Sequence, residues 1–311
     1  MIKRLTMVAL AFIVSLNLGI NGTFASENNN EDSINEKFGL PILVLGGSLT
    51  DAQKKEVRDM LGVTNPEMVE EITVTGEDLV RFIDGEDRNA RMFSSAKITR
   101  EEDGKGLVIE QVTPENITEV TDTMYANALL TAGIENATVQ VASPVKVSGH
   151  SALTGIYKAY EVSGEELDTE RLEVANDELN LATDLANEEG IEEEKVSELL
   201  ADIKQAIADQ NPATREDIEA IVEEQLAKLG INLSAEDRQR LIDLFEQMRS
   251  LNINFDNVKD QLGELSNKIQ DKLGEVVNNE GFWQGVKDFF QGLVDAISGL
   301  FGDGTEDEST N

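Results

Sequence analysis

The chain has 311 residues with 61 acidic against 26 basic side chains, a formal net charge of −35, one histidine and no cysteine. A surface of that sign repels phosphate backbones and anionic lipid, which speaks against nucleic-acid binding and electrostatic membrane attachment. The missing cysteine excludes disulfides, thiolate metal sites, thiol nucleophiles and a lipid-modified cysteine, while the length suffices for two domains of ~100–200 residues each.

Lys3 and Arg4, the apolar run from Met7 to Leu18 broken only by Ser15 and Asn17, and the small-x-small triplet Thr23-Phe24-Ala25 predict a cleavable secretory signal over 1–25, cut after Ala25. The run is well short of the ~20 residues a spanning helix needs. There is no Leu-Pro-x-Thr-Gly sorting signal near the end of the chain. A secreted, extracellular protein is expected, two charges more negative once Lys3 and Arg4 leave. Residues 26–37 are polar and Asn-rich and read as a flexible lead-in.

Pro41 to Gly47 reads as a short buried strand ending in a glycine turn, and Thr50 with Gln53 forms a capping box that opens a helix to Leu61, closed by Gly62. Glu71 to Thr75 alternates like a half-buried strand, and Gly76 to Ile83 reads as a short helix. Two further strand patterns, Arg91–Glu101 and Gly106–Val112, flank Glu102-Asp103-Gly104-Lys105, which predicts a hairpin. Pro114 is expected to open a long helix to about Ala132 with Ile117, Val120, Met124 and Leu129 on one side. A strand over Ala137–Ala142 and a helix over Ser151–Glu161 complete a mixed α/β order.

After Gly164 the strand signals vanish. Helices are predicted over 165–189, 192–209, 213–229 and 235–251, then a stripe of Phe255, Val258, Leu262, Leu265, Ile269, Leu273 and Val276 at helical spacing. The expected fold class is an α+β or α/β N-terminal domain (38–163), with a mixed sheet and packed helices, followed by an all-α helical region (164–301). An acidic disordered tail follows over 302–311.

Three stretches carry a resemblance: Leu40–Val63; Arg91-Met92-Phe93-Ser94-Ser95-Ala96; and Ile117–Gly133 with Tyr125-Ala126-Asn127-Ala128. A fourth and stronger one runs from Val139 through Ser143-Pro144-Val145-Lys146-Val147-Ser148-Gly149 to Glu161. Together they are similar to the YpuA-like family of predicted secreted Gram-positive proteins, which carry a domain of unknown function. The resemblance implies an extracytoplasmic protein and a Gram-positive source, and it brings no activity and no catalytic residues.

His150 sits in Ser148-Gly149-His150-Ser151 and is the one residue whose ordinary pKa suits acid–base work near neutrality. Chain neighbours rarely form a nucleophile–base pair, so the plainer reading is a loop at a helix start, with Ser148 or Ser151 as the cap. Ser94 and Lys97 make a Ser-x-x-Lys, yet in a strand-like run their side chains point to opposite faces. Gly46-Gly47-Ser48 lacks the pattern of a phosphate loop, but it lies at the carboxyl end of a strand, where open α/β sheets bind ligands. The acidic turns at 84–89 and 303–308 lack the ligand spacing of a calcium loop. No metal, cofactor or catalytic set is expected. Gly46, Gly47, Ser48, Ser148, His150 and Ser151 are the candidate pocket.

Near the end, Phe282, Trp283, Val286, Phe289, Phe290, Leu293 and Ile297 form an apolar helical stripe, with Gly285, Gly292 and Gly299 at seven-residue spacing. It admits docking on its own domain, contact with an oligomer mate or partner, or weak insertion at a membrane surface. The leading expectation is a non-enzymatic envelope protein that binds another envelope protein, a wall component or itself. The alternative is a secreted hydrolase with its site at the 46–48 and 148–151 loops.

Overall fold

The computed structural model describes residues 36–83, 86–188 and 190–273. The leader 1–25, most of the lead-in 26–37, the stripe over 281–301 and the tail 302–311 lie outside the described residues. Five strands, β1 (Ile42–Gly46), β2 (Glu70–Val74), β3 (Ser95–Arg100), β4 (Leu107–Gln111) and β5 (Ala137–Ala142), form one mixed sheet in the order β2-β1-β3-β5-β4. β1 runs parallel to β2 and β4 parallel to β5, while β3 is antiparallel to both of its neighbours. The carboxyl ends of β1, β2, β4 and β5 therefore share one edge of the sheet with the start of β3.

The hairpin expected between the third and fourth strands does not form, because β5 inserts between them. β5 has both faces largely covered, whereas β4 leaves Val108 half exposed, so the more apolar strand takes the inner place. The link over 101–106 spans the start of β5. Asn136 Oδ1 accepts from the N–H groups of Gly104 and Gly106, and both glycines adopt positive φ. The N–H groups of Leu107 and Gln111 at the outer edge of β4 are taken by Gln261 and Asp122 side chains, which blunts that edge.

On one face Leu43 and Leu45 are covered by α1 (Asp51–Met60), whose expected Thr50–Gln53 capping box is present. On the other face lie α2 (Gly76–Phe82), α3 (Asp122–Ala132) and α4 (Ser151–Val162). Lys158 of α4 donates to Asp78 at the start of α2 and to the Thr73 carbonyl of β2. Burial alone would raise the Asp78 carboxyl, but the bonds from Lys158 and Thr75 outweigh it and hold it below its ordinary value.

The long helix expected from Pro114 is broken. Only a short turn, Pro114–Asn116, follows the proline, and α3 starts at Asp122, with Thr121 accepting from the Met124 N–H. Between them the backbone is spent elsewhere: Ile117 bridges Val147, and Thr118, Glu119 and Val120 donate to the Val147 and Ser148 carbonyls. Nor does α3 have a polar side, since every residue after Asp122 is buried.

The predicted helices of the second part are α5 (Thr169–Glu188), α6 (Glu193–Gln210), α7 (Arg215–Leu229) and α8 (Ala235–Ser250), with ends shifted by at most about a turn. The stripe beginning at Phe255 becomes a short turn and α9 (Lys259–Leu273), with Phe255, Val258, Leu262, Leu265 and Ile269 buried. Composition changes at Gly164 but the core does not. One cluster joins Val139 and Met124 to Leu179, Leu200, Phe245 and Leu262. No described helix is long and apolar enough to cross a membrane.

Leu129 of α3 is fully buried in that shared core. Leu129→Ala should cost about 2–5 kcal/mol. In urea monitored by circular dichroism, strand and helix signals should shift to lower denaturant together. A variant whose strands melt apart from its helices would contradict a common core.

Candidate functional site

A cleft of about 510 Å³ opens at the sheet edge where β1, β2, β4 and β5 end. Its walls are Leu79 of α2, the loop residues Glu86, Ala90, Arg91 and Met92, the loop Val147–Ser151, and Asn176 and Asn180 of α5. That volume falls within the ~300–1,000 Å³ of ordinary ligand pockets.

The 147–151 loop is held from several directions. Val147 exchanges backbone bonds with Asn116 and Thr118, and Ser148 O accepts from Glu119 and Val120. The fully buried Tyr125 of α3 donates its hydroxyl to Gly149 O at 2.6 Å. Gly149 has φ +114°, and a Cβ there would come within 2.7 Å of Ile117 and 2.8 Å of the Tyr125 hydroxyl. Only glycine fits this crossing. Neither Ser148 nor Ser151 caps α4, contrary to expectation: His150 holds the cap position in helical conformation with no side-chain cap bond. The Ser151 hydroxyl instead accepts from the Ser94 N–H at 3.4 Å.

Gly46, Gly47 and Ser48 do not line the cleft. A Cβ on Gly46 would lie 2.6 Å from Met92 O, and one on Gly47 2.7 Å from Val74 O, so the glycine pair serves close backbone packing. Ser48 exchanges bonds with Met92, donating its N–H to Met92 O and accepting the Met92 N–H on its hydroxyl. The two candidate loops thus flank a common segment, 91–94, and only the 148–151 loop faces the cleft. Ser94 is fully buried and Lys97 donates to Leu61 O, so the Ser-x-x-Lys pair is divided as its strand spacing requires.

His150 Nε2 lies 3.3 Å from the Thr183 hydroxyl of α5. That hydroxyl has its own acceptors in the carbonyls of Asn180 (2.9 Å) and Leu179 (3.2 Å), which assigns the imidazole proton to Nε2 and leaves Nδ1 as an acceptor. Burial pushes the His150 pKa down, and the carboxylates Glu119, Asp184 and Glu86 oppose the shift without reversing it. No serine hydroxyl among the described residues bonds to the ring. The arrangement supplies a neutral hydrogen-bonding group, with no nucleophile–base pair.

Asn176 and Asn180 stand one helical turn apart on α5. Asn176 is 7 % exposed, and its amide has no hydrogen-bond partner among the described residues. Arg91 lies over the Phe93 ring at 4.9 Å and makes no ion pair among the described residues, in a chain with more than twice as many acids as bases. Sequence reasoning missed these three. The available signal was a pair of poor helix formers, four apart, inside an otherwise strongly helical segment.

The single histidine makes the site easy to titrate. A depressed imidazole pKa contributes stability that is present above the ordinary value of 6.5 and is lost as pH falls through the folded value. The ring resonances should titrate below 6.5; a midpoint at or above it would contradict the buried neutral imidazole.

Residues 45–265 match a family described as "Protein of unknown function (DUF1002)". The chain is 36 % identical over 266 residues to a protein of Bacillus subtilis (strain 168) described as "Uncharacterized protein YpuA", covering 84 % of this chain and 89 % of that one. No solved structure matches the chain.

Proposed function

This chain belongs to the DUF1002 family of proteins of unknown function, and we propose that it is a non-enzymatic protein of the cell envelope that binds a short peptide in the 147–151 cleft. The reading is carried by one observation: the polar side chains of Arg91, Ser148, His150, Asn176 and Asn180 line a single cleft. Ligand pockets are oriented by a few polar groups on their walls, and amides and hydroxyls there suit a ligand that offers complementary donors and acceptors. Backbone amides of a peptide suit Asn176, Asn180, Ser148 and Nδ1 of His150, and a terminal carboxylate suits Arg91. Leu79, Met92 and Val147 give apolar contact for a side chain. Work outside the cytoplasmic membrane is supported by the signal pattern over 1–25.

Peptides of the bacterial wall are the envelope ligands with this chemistry. Muropeptides released by enzymatic digestion of a Gram-positive wall should perturb the His150 resonances of the full mature chain. Arg91→Ala or Asn176→Ala should weaken the effect by about tenfold or more, as loss of a bond to a charged or buried partner does. Resonances that stay in place at millimolar muropeptide would sink the reading.

A second contact is assigned to the stripe Phe282–Ile297, which lies outside the described residues. Its apolar residues at helical spacing suit a groove on an envelope partner or on a second copy. Removing 281–301 should leave the described fold intact and abolish surface retention or self-association. Unchanged retention and oligomer size would refute the assignment.

A further inference from the structure

Away from the cleft, three side chains that no helix needs for its own formation meet in the shared core. Asn127 of α3 and Lys204 of α6 are 0 % exposed and Glu178 of α5 is 1 % exposed. Lys204 Nζ donates to Glu178 Oε1 and to the Asn127 main-chain carbonyl at 2.8 Å, and stands 3.2 Å from Asn127 Oδ1. The second carboxylate oxygen of Glu178 accepts from the Thr131 hydroxyl at 2.6 Å. Asn127 Nδ2 donates to the carbonyls of Ser197 at 3.0 Å and Thr123 at 3.3 Å. Those two acceptors fix the amide orientation, since only the nitrogen can face them, and turn its carbonyl toward the lysine.

Lysine is almost never fully buried, and an ion pair taken out of water is often no more stabilising than apolar packing of the same volume. Here burial pushes the Lys204 pKa down while Glu178 opposes the shift, so the neutral amine is more accessible than on a surface lysine. A neutral amine is a nucleophile, and this one is held against a carbonyl with a carboxylate in hydrogen-bond contact with its nitrogen.

We propose that the chain cross-links itself by an amide between the side chains of Lys204 and Asn127, formed with Glu178 as the proton carrier. The Lys204 ammonium gives a proton to Glu178, and Nζ adds to Cγ of Asn127. The Nζ–Cγ bond forms and the Cγ–Nδ2 bond breaks. A further proton from Nζ and the one on Glu178 leave with Nδ2 as ammonium, and Glu178 returns to its carboxylate. Nothing is oxidised or reduced, and no co-reactant enters. The product ties α3, which packs on the sheet, to α6 of the helical part. In a chain with no cysteine it is a covalent brace where a disulfide is unavailable.

The test is the denatured intact mass of the purified full chain, set against Asn127→Ala and Glu178→Gln after correction for the substitution. The wild-type chain should lie about 17 Da below its sequence mass through loss of ammonia. A proteolytic digest should yield one branched peptide joining the segments that hold Asn127 and Lys204. Both variants should keep their full mass, Glu178→Gln with its helical circular dichroism retained. An unshifted wild-type mass overturns the proposal, as does a loss of about 18 Da placed on Glu178 itself, which is direct lysine–glutamate condensation. The wild-type mass decides the matter even where a variant fails to fold.

Discussion

α3 has no face to spare. Its neighbours are the sheet on one side and α5 and α6 on the other, and every residue after Asp122 is buried. A helix enclosed this way fixes what surrounds it, because any rotation would drive a polar group into the sheet or an apolar one off it. Tyr125 reaches from α3 to Gly149 and sets one wall of the cleft. Asn127, less than a turn along, reaches the opposite way to Lys204 and Ser197. Thr131, a turn further, binds Glu178. Loop, core and helical layer therefore take their positions from one short element.

The polar stripe inside this core carries its own requirement. A buried Lys–Glu pair recovers its desolvation cost only when the remaining donors and acceptors are satisfied. Asn127, Thr131 and the Asn127 carbonyl supply those partners, and all sit on α3. Beside them the Tyr157 hydroxyl of α4 is buried without a partner among the described residues, and burial together with the charge of Glu178 raises its pKa. The network is specific to one packing of three helices. An alternative register would strand a charge in apolar surroundings, so the pair selects the arrangement more than it strengthens it.

How much of this could be read from the sequence divides along physical lines. β5 over Ala137–Ala142 and the capped start of α1 were legible because alternation and capping are local. Strand order was not, since pairing depends on partners far along the chain. The glycine turn at 102–105 resembles a hairpin turn whether or not its flanking strands become neighbours. Pro114 opens only a short turn, because Thr121 is a competing cap seven residues later and the intervening backbone pairs with 147–148. Lys204 was hidden for a different reason: in a segment rich in Glu, Asp and Lys, nothing local separates a buried lysine from a solvated one. Of the candidate pocket residues, those of the 148–151 loop line a cleft, and those of the 46–48 loop pack against backbone one segment away.

The charge of the chain bears on what the cleft can take. With a net charge of −35 the molecule presents a repulsive field to any small anion approaching from bulk, and at physiological salt that field is screened beyond about 8 Å. Glu86 and Arg91 sit on the same wall, so the local field is mixed in sign rather than uniformly negative. His150 is held neutral and adds no cation at ordinary pH. A phosphate or a free dicarboxylate would face Glu86 with one unpaired cation to offset it, while a nucleic acid would meet the full repulsion of the surface. A peptide terminus would place its single carboxylate on Arg91 and offer amide groups to Asn176 and Asn180 at no further charge cost. A strongly acidic surface that repels polyanions is therefore compatible with the proposed recognition through amides and hydroxyls.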